Sequence, residues 1–288
     1  MHPVCNPRAP CAGLRKLGMI DVFCYNIDYS RLPNLDTLIF GNAVFNLHDL
    51  PDSLTSLRIA FDDDDLGHGM MVLDDDVSNL FTIRISHLTR LRDLEIALMI
   101  NPDDEKVQMQ SLSKLTDLTR LSLKRFGRMD TAVLASSFPR LTDLCVDVHP
   151  APHGPPIPPL PDAPLLSRLH LSLAGTAEEQ QAGDENINSP LIPVPLLLGR
   201  QSSALDLCRY THLHSLLLHC AQLDRPSALH LLSLPSLRTL TLVSCKMAES
   251  VRALLTATTR FVVLFEGDAA DPRHLAVDSY FGYDVLGH

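Results

Sequence analysis

Apolar and polar positions alternate along Leu237 to Cys245, LRTLTLVSC, in the order L-x-x-L-x-L-x-x-C. Side chains on a strand point alternately to its two faces, so Leu240 and Leu242 share one face and Thr239, Thr241 and Val243 the other. A single strand of this kind cannot bury its apolar side. The same spacing recurs with its second leucine at Leu38, Leu57, Leu94, Leu121, Leu144, Leu169, Leu216 and Leu240, at intervals of 19, 37, 27, 23, 25, 47 and 24 residues. Five of the seven intervals fall near one period, which predicts coils stacked side by side, each burying its leucines against the next.

Two further stretches extend the series. Leu14-x-x-Leu17-x-Met19 reads as an earlier unit. Phe261-x-x-Leu264-x-Glu266 reads as a later one, with Glu266 at an inward position, as suits a terminal cap whose last face meets water. In the 37-residue interval, Leu80-x-x-Ile83-x-Ile85 lies too close to Leu94 for a return loop and predicts an accessory strand or hairpin. In the 47-residue interval, Leu191-x-x-Val194-x-Leu196 is either a degenerate repeat or an insertion, because Pro193 and Pro195 would remove two ladder donors from a central strand. Return helices are expected over 131–138 behind Asp130, after Asp224 with Pro226 in the first turn and Leu229 and Leu232 following, and around Val251, Leu254 and Leu255.

This pattern resembles leucine-rich-repeat proteins over about 14–266, most clearly at 118–173 and 213–245. The resemblance implies an α/β solenoid, a horseshoe with parallel strands on its concave face and irregular or short helical segments on its convex one. Cys245 stands where the cysteine-containing class, familiar from ribonuclease-inhibitor-like and F-box proteins, carries its Asn or Cys; the equivalent positions hold Ala43, Asp62, Met99, Phe126, His149, Ala174 and Ala221. The expected organisation is a leader at 1–13, a solenoid at 14–266 with insertions at about 61–87, 150–164 and 175–206, and a tail or cap at 267–288.

Stacking in register turns the outward positions into columns. The first runs Ser56, Asp93, Arg120, Asp143, Arg168, Ser215, Thr239; the middle one sets Arg58 beside Glu95 and Cys145 beside His170; the third sets Lys124 beside Asp147. Alternating charges on adjacent strands predict lateral ion pairs, a steadying ladder that is also a surface a partner can read. Toward the C-terminal end the outward residues Leu217, His219, Thr241 and Val243 are apolar or small, and this strip is either a contact surface, better than the ladder because desolvating it costs little, or the seat of the Pro-rich or acidic insertion folded over it. The predicted partner-binding set is therefore Arg120, Lys124, Asp143, Asp147, Arg168, His170, Leu217, His219, Thr241 and Val243.

Composition narrows the function. A net charge of −10 argues against non-specific nucleic-acid binding. Seven scattered cysteines without a C-x-x-C pair fit a reducing, intracellular compartment, and no apolar run approaches the roughly 20 residues of a membrane span. Of His212, His214, His219 and Cys220 only His219 faces the concave side and His214 lies at the strand's entry, so no metal site and no cofactor are expected. The acidic runs 62–65 and 74–76 lack the last ligand of a calcium loop, and the P-x-x-P at Pro155 to Pro158 lacks a flanking Arg, so both are expected to be loop.

Catalytic motifs are missing, which makes an enzyme unexpected; the sole arrangement to weigh is a thiol nucleophile at Cys145 with His170 as base. The leading expectation is a non-catalytic scaffold that binds a protein partner through the repeat face. A narrower one, implied by the resemblance, is the substrate arm of an F-box-like ubiquitin-ligase receptor with a Skp1-like adaptor as partner, although no L-P-x-E-[IL] segment occurs.

Overall fold

Leucine alternating with Ser, Thr or charged residues produces ten short strands: β1 Lys16–Ile20, β2 Thr37–Gly41, β3 Ser56–Phe61, β4 Asp93–Leu98, β5 Arg120–Lys124, β6 Asp143–Asp147, β7 Arg168–Ser172, β8 Ser215–His219, β9 Thr239–Val243 and β10 Val262–Glu266. They form one open sheet, in chain order and parallel throughout. The computed structural model describes residues 13–20, 28–41, 50–61, 82–83, 85–98, 108–109, 112–124, 137–147, 160–175, 192–195 and 206–266. The acidic runs, the P-x-x-P segment, residues 131–136 of the first expected helix and the tail lie outside them.

Consecutive coils are joined by a repeating hydrogen-bond device at the lead-in to each strand. The carbonyl of Thr119 accepts from the amides of both Thr142 and Asp143, that of Thr142 from Ser167 and Arg168, that of Ser167 from His214 and Ser215, and that of His214 from Arg238 and Thr239. The same double acceptance begins at Arg15 and passes through Asp36, Thr55 and Arg92. Hydroxyls at this position reinforce it: Thr55, Thr119, Thr142 and Ser167 each donate to the carbonyl one coil back, at 3.2, 2.9, 3.1 and 3.1 Å. A Ser or Thr after the leading leucine thus has a structural reason beyond strand propensity.

Inward leucines stack into one continuous core. The central coils add an apolar residue that the alternation did not reveal, three places before the leading leucine, where a tight turn closes with an amide donating back to its carbonyl: Leu115 to Leu118, Phe138 to Leu141, Ala163 to Leu166, Tyr210 to Leu213. Every one of these is buried. A coil therefore seals its interior with four apolar positions, such as Leu115, Leu118, Leu121 and Leu123.

The long intervals do not break the stack. Leu57 lies beside Leu94 and Leu169 beside Leu216. Thr82–Ile83 is an accessory strand paired with Gln108–Met109, as expected. Ile192–Pro195 belongs to a second, smaller sheet, between Ala174–Gly175 and Ala221–Leu223 with Lys246–Met247 beyond, so it is no unit of the main sheet. The base of this insertion is pinned by the Tyr210 hydroxyl, which donates to the Pro161 carbonyl at 2.7 Å. Arg209 donates to the carbonyls of Leu160 and Pro161 and to the Tyr210 oxygen.

Each C-terminal coil turns a corner after its strand. Cys220 and Ser244, one repeat apart, adopt left-handed backbone with φ of 54° and 50°. Non-glycine residues adopt it at a cost of about 1–2 kcal/mol, offset here by amides donating to the next coil, Cys220 to Val243 and Ser244 to Glu266. The short second strands and the helices α1 Arg225–Ser233 and α2 Glu249–Thr256 follow. Asp224 caps α1 by accepting from the Ser227 amide at 2.8 Å. Ala228 and Leu231 form the buried face of α1, leaving the expected marker Leu229 exposed.

One register expectation is overturned. Leu240 pairs with Val263 and Leu242 with Phe265, so Val263 and Phe265 point inward while Val262, Leu264 and Glu266 share the outward face. The final unit is 23 residues long, not 24, and a slip of one residue exchanges the faces of a strand. Glu266 therefore stands in water without occupying an inward position, and Leu264 is 43% exposed.

The register generates a contrast in tolerance. Leu121→Ala, Leu144→Ala and Leu240→Ala should each lower the unfolding free energy in urea by about 2–5 kcal/mol. Thr241→Ala should cost less than about 1 kcal/mol. Ser122, although outward in the register, is 2% exposed and should be less tolerant of change than Thr241. Equal losses at Leu240 and Thr241 would contradict the assigned faces.

Candidate functional site

The outward face of the sheet has three columns, fixed by the pairing register, and they divide into a charged centre, a polar middle and an apolar end. The first column places Ser56, Asp93, Arg120, Asp143, Arg168, Ser215 and Thr239 side by side as expected, and ends at Val262. The middle column carries Arg58, Glu95, Ser122, Cys145, His170, Leu217, Thr241 and Leu264.

At the centre, Arg58 approaches Asp93 at 3.8 Å and Glu95 at 3.6 Å, Arg120 approaches Asp93 at 3.9 Å, and Lys124 reaches diagonally to Glu95 at 3.0 Å. Arg168 pairs with Asp143, whose other oxygen accepts from the Thr142 hydroxyl at 2.8 Å. Lys124, which follows Leu123 as Asp147 follows its strand partner Val146, pairs with Glu95, one strand back. Such pairs contribute about 0–1 kcal/mol each where water reaches them. Three cations face two carboxylates in the linked cluster, so the centre nearly neutralises itself and presents directional donors and acceptors, not a field of one sign. Asp147, half-buried, stands in the third column beside Ser172.

The polar middle is built on sulfur and imidazole. Cys145 Sγ lies 3.4 Å from His170 Nδ1, the juxtaposition read from the sequence. His219 Nδ1 lies 3.0 Å from Ser172 Oγ, and its Nε2 3.2 Å from Cys220 Sγ. Burial pushes the Cys145 thiol up to about 11, with Asp147 adding to the effect. Burial likewise pushes His170 down to about 4, with His219 as a second cause, and it lowers His219. Both partners are thereby driven to their neutral forms. A thiolate–imidazolium pair, the state that activates a cysteine nucleophile, is opposed from both sides.

The apolar end differs from expectation at one residue. Val243, assigned to the exposed strip, is only 3% exposed, between His219 and Glu266 in the third column. Leu217, His219 and Thr241 remain half-buried on the outward face. The shifted register of β10 adds Leu264 at 43% and Val262 at 58% exposure. Leu217, Thr241 and Leu264 thus run across three neighbouring strands, with Val262 beside them.

Two other features bear on chemistry. Cys245 Sγ donates to the carbonyls of Leu218 at 3.3 Å and Val243 at 3.4 Å, the bridging role of the Asn or Cys position in the repeat. Asp206, Cys208 and His230 bring one oxygen, sulfur and nitrogen atom within 4.8 Å of one another. No spacing motif announced that trio; the signal in the sequence is that His230 falls 24 residues after Asp206, one repeat at this point of the stack. His212, His214, His219 and Cys220 do not converge in this way.

No protein-family model and no curated protein matches the sequence. Among solved structures the chain is similar to an internalin from Listeria monocytogenes, at 14% identity and a TM-score of 0.43, covering 88% of this chain and 61% of that one. It is also similar to the functional domain of InlJ from Listeria monocytogenes, which includes a cysteine ladder, at 16% identity and a TM-score of 0.29, covering 89% and 54%. This chain spans under two thirds of each. Its assignment as a leucine-rich-repeat solenoid follows from its own ten-strand register and stacked leucines.

With a pKa near 11, about one Cys145 in ten thousand is thiolate at pH 7. Alkylation by iodoacetamide, followed by peptide mass spectrometry, should leave Cys145 nearly unmodified at pH 7 while exposed Cys208 reacts, and the Cys145 rate should rise about tenfold per pH step up to about 11. Rapid selective labelling of Cys145 at pH 7 would restore the thiol-enzyme reading.

Proposed function

We propose that the protein is a non-catalytic interaction scaffold that holds a protein partner against the outward face of its sheet. The observation that carries this reading is the apolar run Leu217, Thr241 and Leu264 with Val262, set at one end of a row of paired charges. Apolar side chains in water at the end of a rigid stacked sheet release free energy when a partner covers them, about 25 cal/mol per Å². Arg120, Lys124, Asp143 and Arg168, paired across neighbouring strands, and Asp147 among them then supply register: a partner with the wrong charge order leaves some of them desolvated and poorly paired. His170 and His219, neutral through burial, offer adaptable hydrogen bonding between the two zones. Val243 drops out of the proposed surface.

A reducing, intracellular setting belongs to the same reading. Cys145, Cys208, Cys220 and Cys245 are free thiols, which supports it.

The narrower reading, a substrate arm of an F-box-like ubiquitin-ligase receptor, is supported by the Cys245 geometry alone. Its distinguishing partner is a Skp1-like adaptor.

Leu217→Glu with Leu264→Glu places two charges in the apolar run at partly exposed positions, so the fold should survive, as circular dichroism and urea unfolding would verify. Partners captured by the wild-type chain, identified by mass spectrometry and then purified, should lose at least about tenfold in affinity for the double variant by calorimetry. Unchanged affinity would remove this surface. For the narrower reading, co-expression with a Skp1-like adaptor should give a complex stable to gel filtration; failure to co-elute would end it.

A further inference from the structure

Asp206 and His230 occupy equivalent positions in consecutive coils: the register that sets Ser215 beside Thr239 is an offset of 24 residues, and the same offset carries 206 to 230. Repetition therefore stacks these two side chains next to one another, away from the outward face of the sheet. Asp206 caps the short helical turn Leu207–Arg209, accepting from the Cys208 amide at 3.1 Å, which holds the carboxylate over the cysteine that follows it. His230 lies in the last turn of α1 and turns Nε2 toward Cys208 Sγ at 3.7 Å.

The distances suit a common ligand. A tetrahedral zinc ion with a bond to sulfur of about 2.3 Å and to nitrogen of about 2.0–2.1 Å separates those two atoms by about 3.6 Å. The observed 3.7 Å matches this and is equally within reach of the weak bond that a thiol makes with an imidazole in the absence of an ion. The oxygen lies within 4.8 Å of both. Asp206 and Cys208 are exposed, so an ion can reach them and a fourth position stays open to water.

We propose that Asp206, Cys208 and His230 form a binding site for a thiophilic divalent cation of the zinc type, which clips two consecutive coils together. Sulfur, imidazole and carboxylate are a donor set for Zn²⁺ and not for Ca²⁺ or Mg²⁺, which take oxygen alone. Binding would release the Cys208 thiol proton to solvent, and the two negative charges of thiolate and carboxylate would balance the ion. Asp206 and Cys208 lie in the lead-in to β8 and His230 in the helix between β8 and β9, the strands that carry Leu217 and Thr241, so the ion would stiffen the frame of the apolar run.

Co²⁺ titrated into the full chain, free of any affinity tag and with its thiols reduced, tests the site. One equivalent should produce a near-ultraviolet sulfur-to-cobalt charge-transfer band with visible d–d bands of tetrahedral intensity, and Zn²⁺ should abolish both. Cys208→Ser should lose the charge-transfer band; His230→Ala and Asp206→Asn should each weaken binding by at least about tenfold while Cys245→Ser leaves it unchanged. Zn²⁺ should raise the melting temperature of the wild type and not that of Cys208→Ser or His230→Ala. Absence of the band in the wild type, or its survival in Cys208→Ser, would overturn the proposal.

Discussion

Everything in this molecule depends on a backbone carbonyl at the lead-in of each strand accepting two successive amides from the following coil. That device repeats from Arg15 to the carbonyls serving Arg238 and Thr239, and it sets the spacing and angle between coils before any side chain is considered. Buried peptide groups must be paired, and in a solenoid a coil can find its partners only in its neighbours. Threonine and serine at the lead-in, each donating a hydroxyl to the coil behind, tighten the same joint. Insertions of very different length are accommodated because they leave this joint untouched, as the adjacency of Leu169 and Leu216 across 47 residues demonstrates.

The outward face inherits its chemistry from that stacking. Residues remote in sequence become lateral neighbours, so Arg58, Asp93, Glu95, Arg120 and Lys124 merge into one linked cluster although they come from three coils. Crowding in the middle column has a second effect. It restricts water around Cys145 and His170, both half-buried, and disfavours both of their charged forms, so that what looks like a nucleophile and base is driven toward a neutral pair. Proximity of a thiol and an imidazole is therefore insufficient for reactivity; the medium around them decides which protonation states exist.

The last coil is where local pattern and global register part company. Val262 to Glu266 contains apolar residues at every position but the last, so either alternation fits the sequence. Continuity with β9 selects Val263 and Phe265 for the interior and leaves Val262 and Leu264 in water. An apolar end to the face results, created by a repeat one residue shorter than its predecessor.

The sequence by itself determined the stack: leucine spacing named nine of the ten strand registers, the accessory strand at 82–83, both helices after 224 and 248, and the columns of the charged centre. It could do so because each of these rests on local alternation and a near-constant period. Only the tertiary structure decided that Val243 is covered while Leu264 is exposed, that Ser122 is buried, that residues 192–195 join a second sheet, and that Asp206, Cys208 and His230 meet. Those outcomes depend on how far one coil advances relative to the next and on what lies over each side chain. That information exists between chain segments, and no single segment contains it.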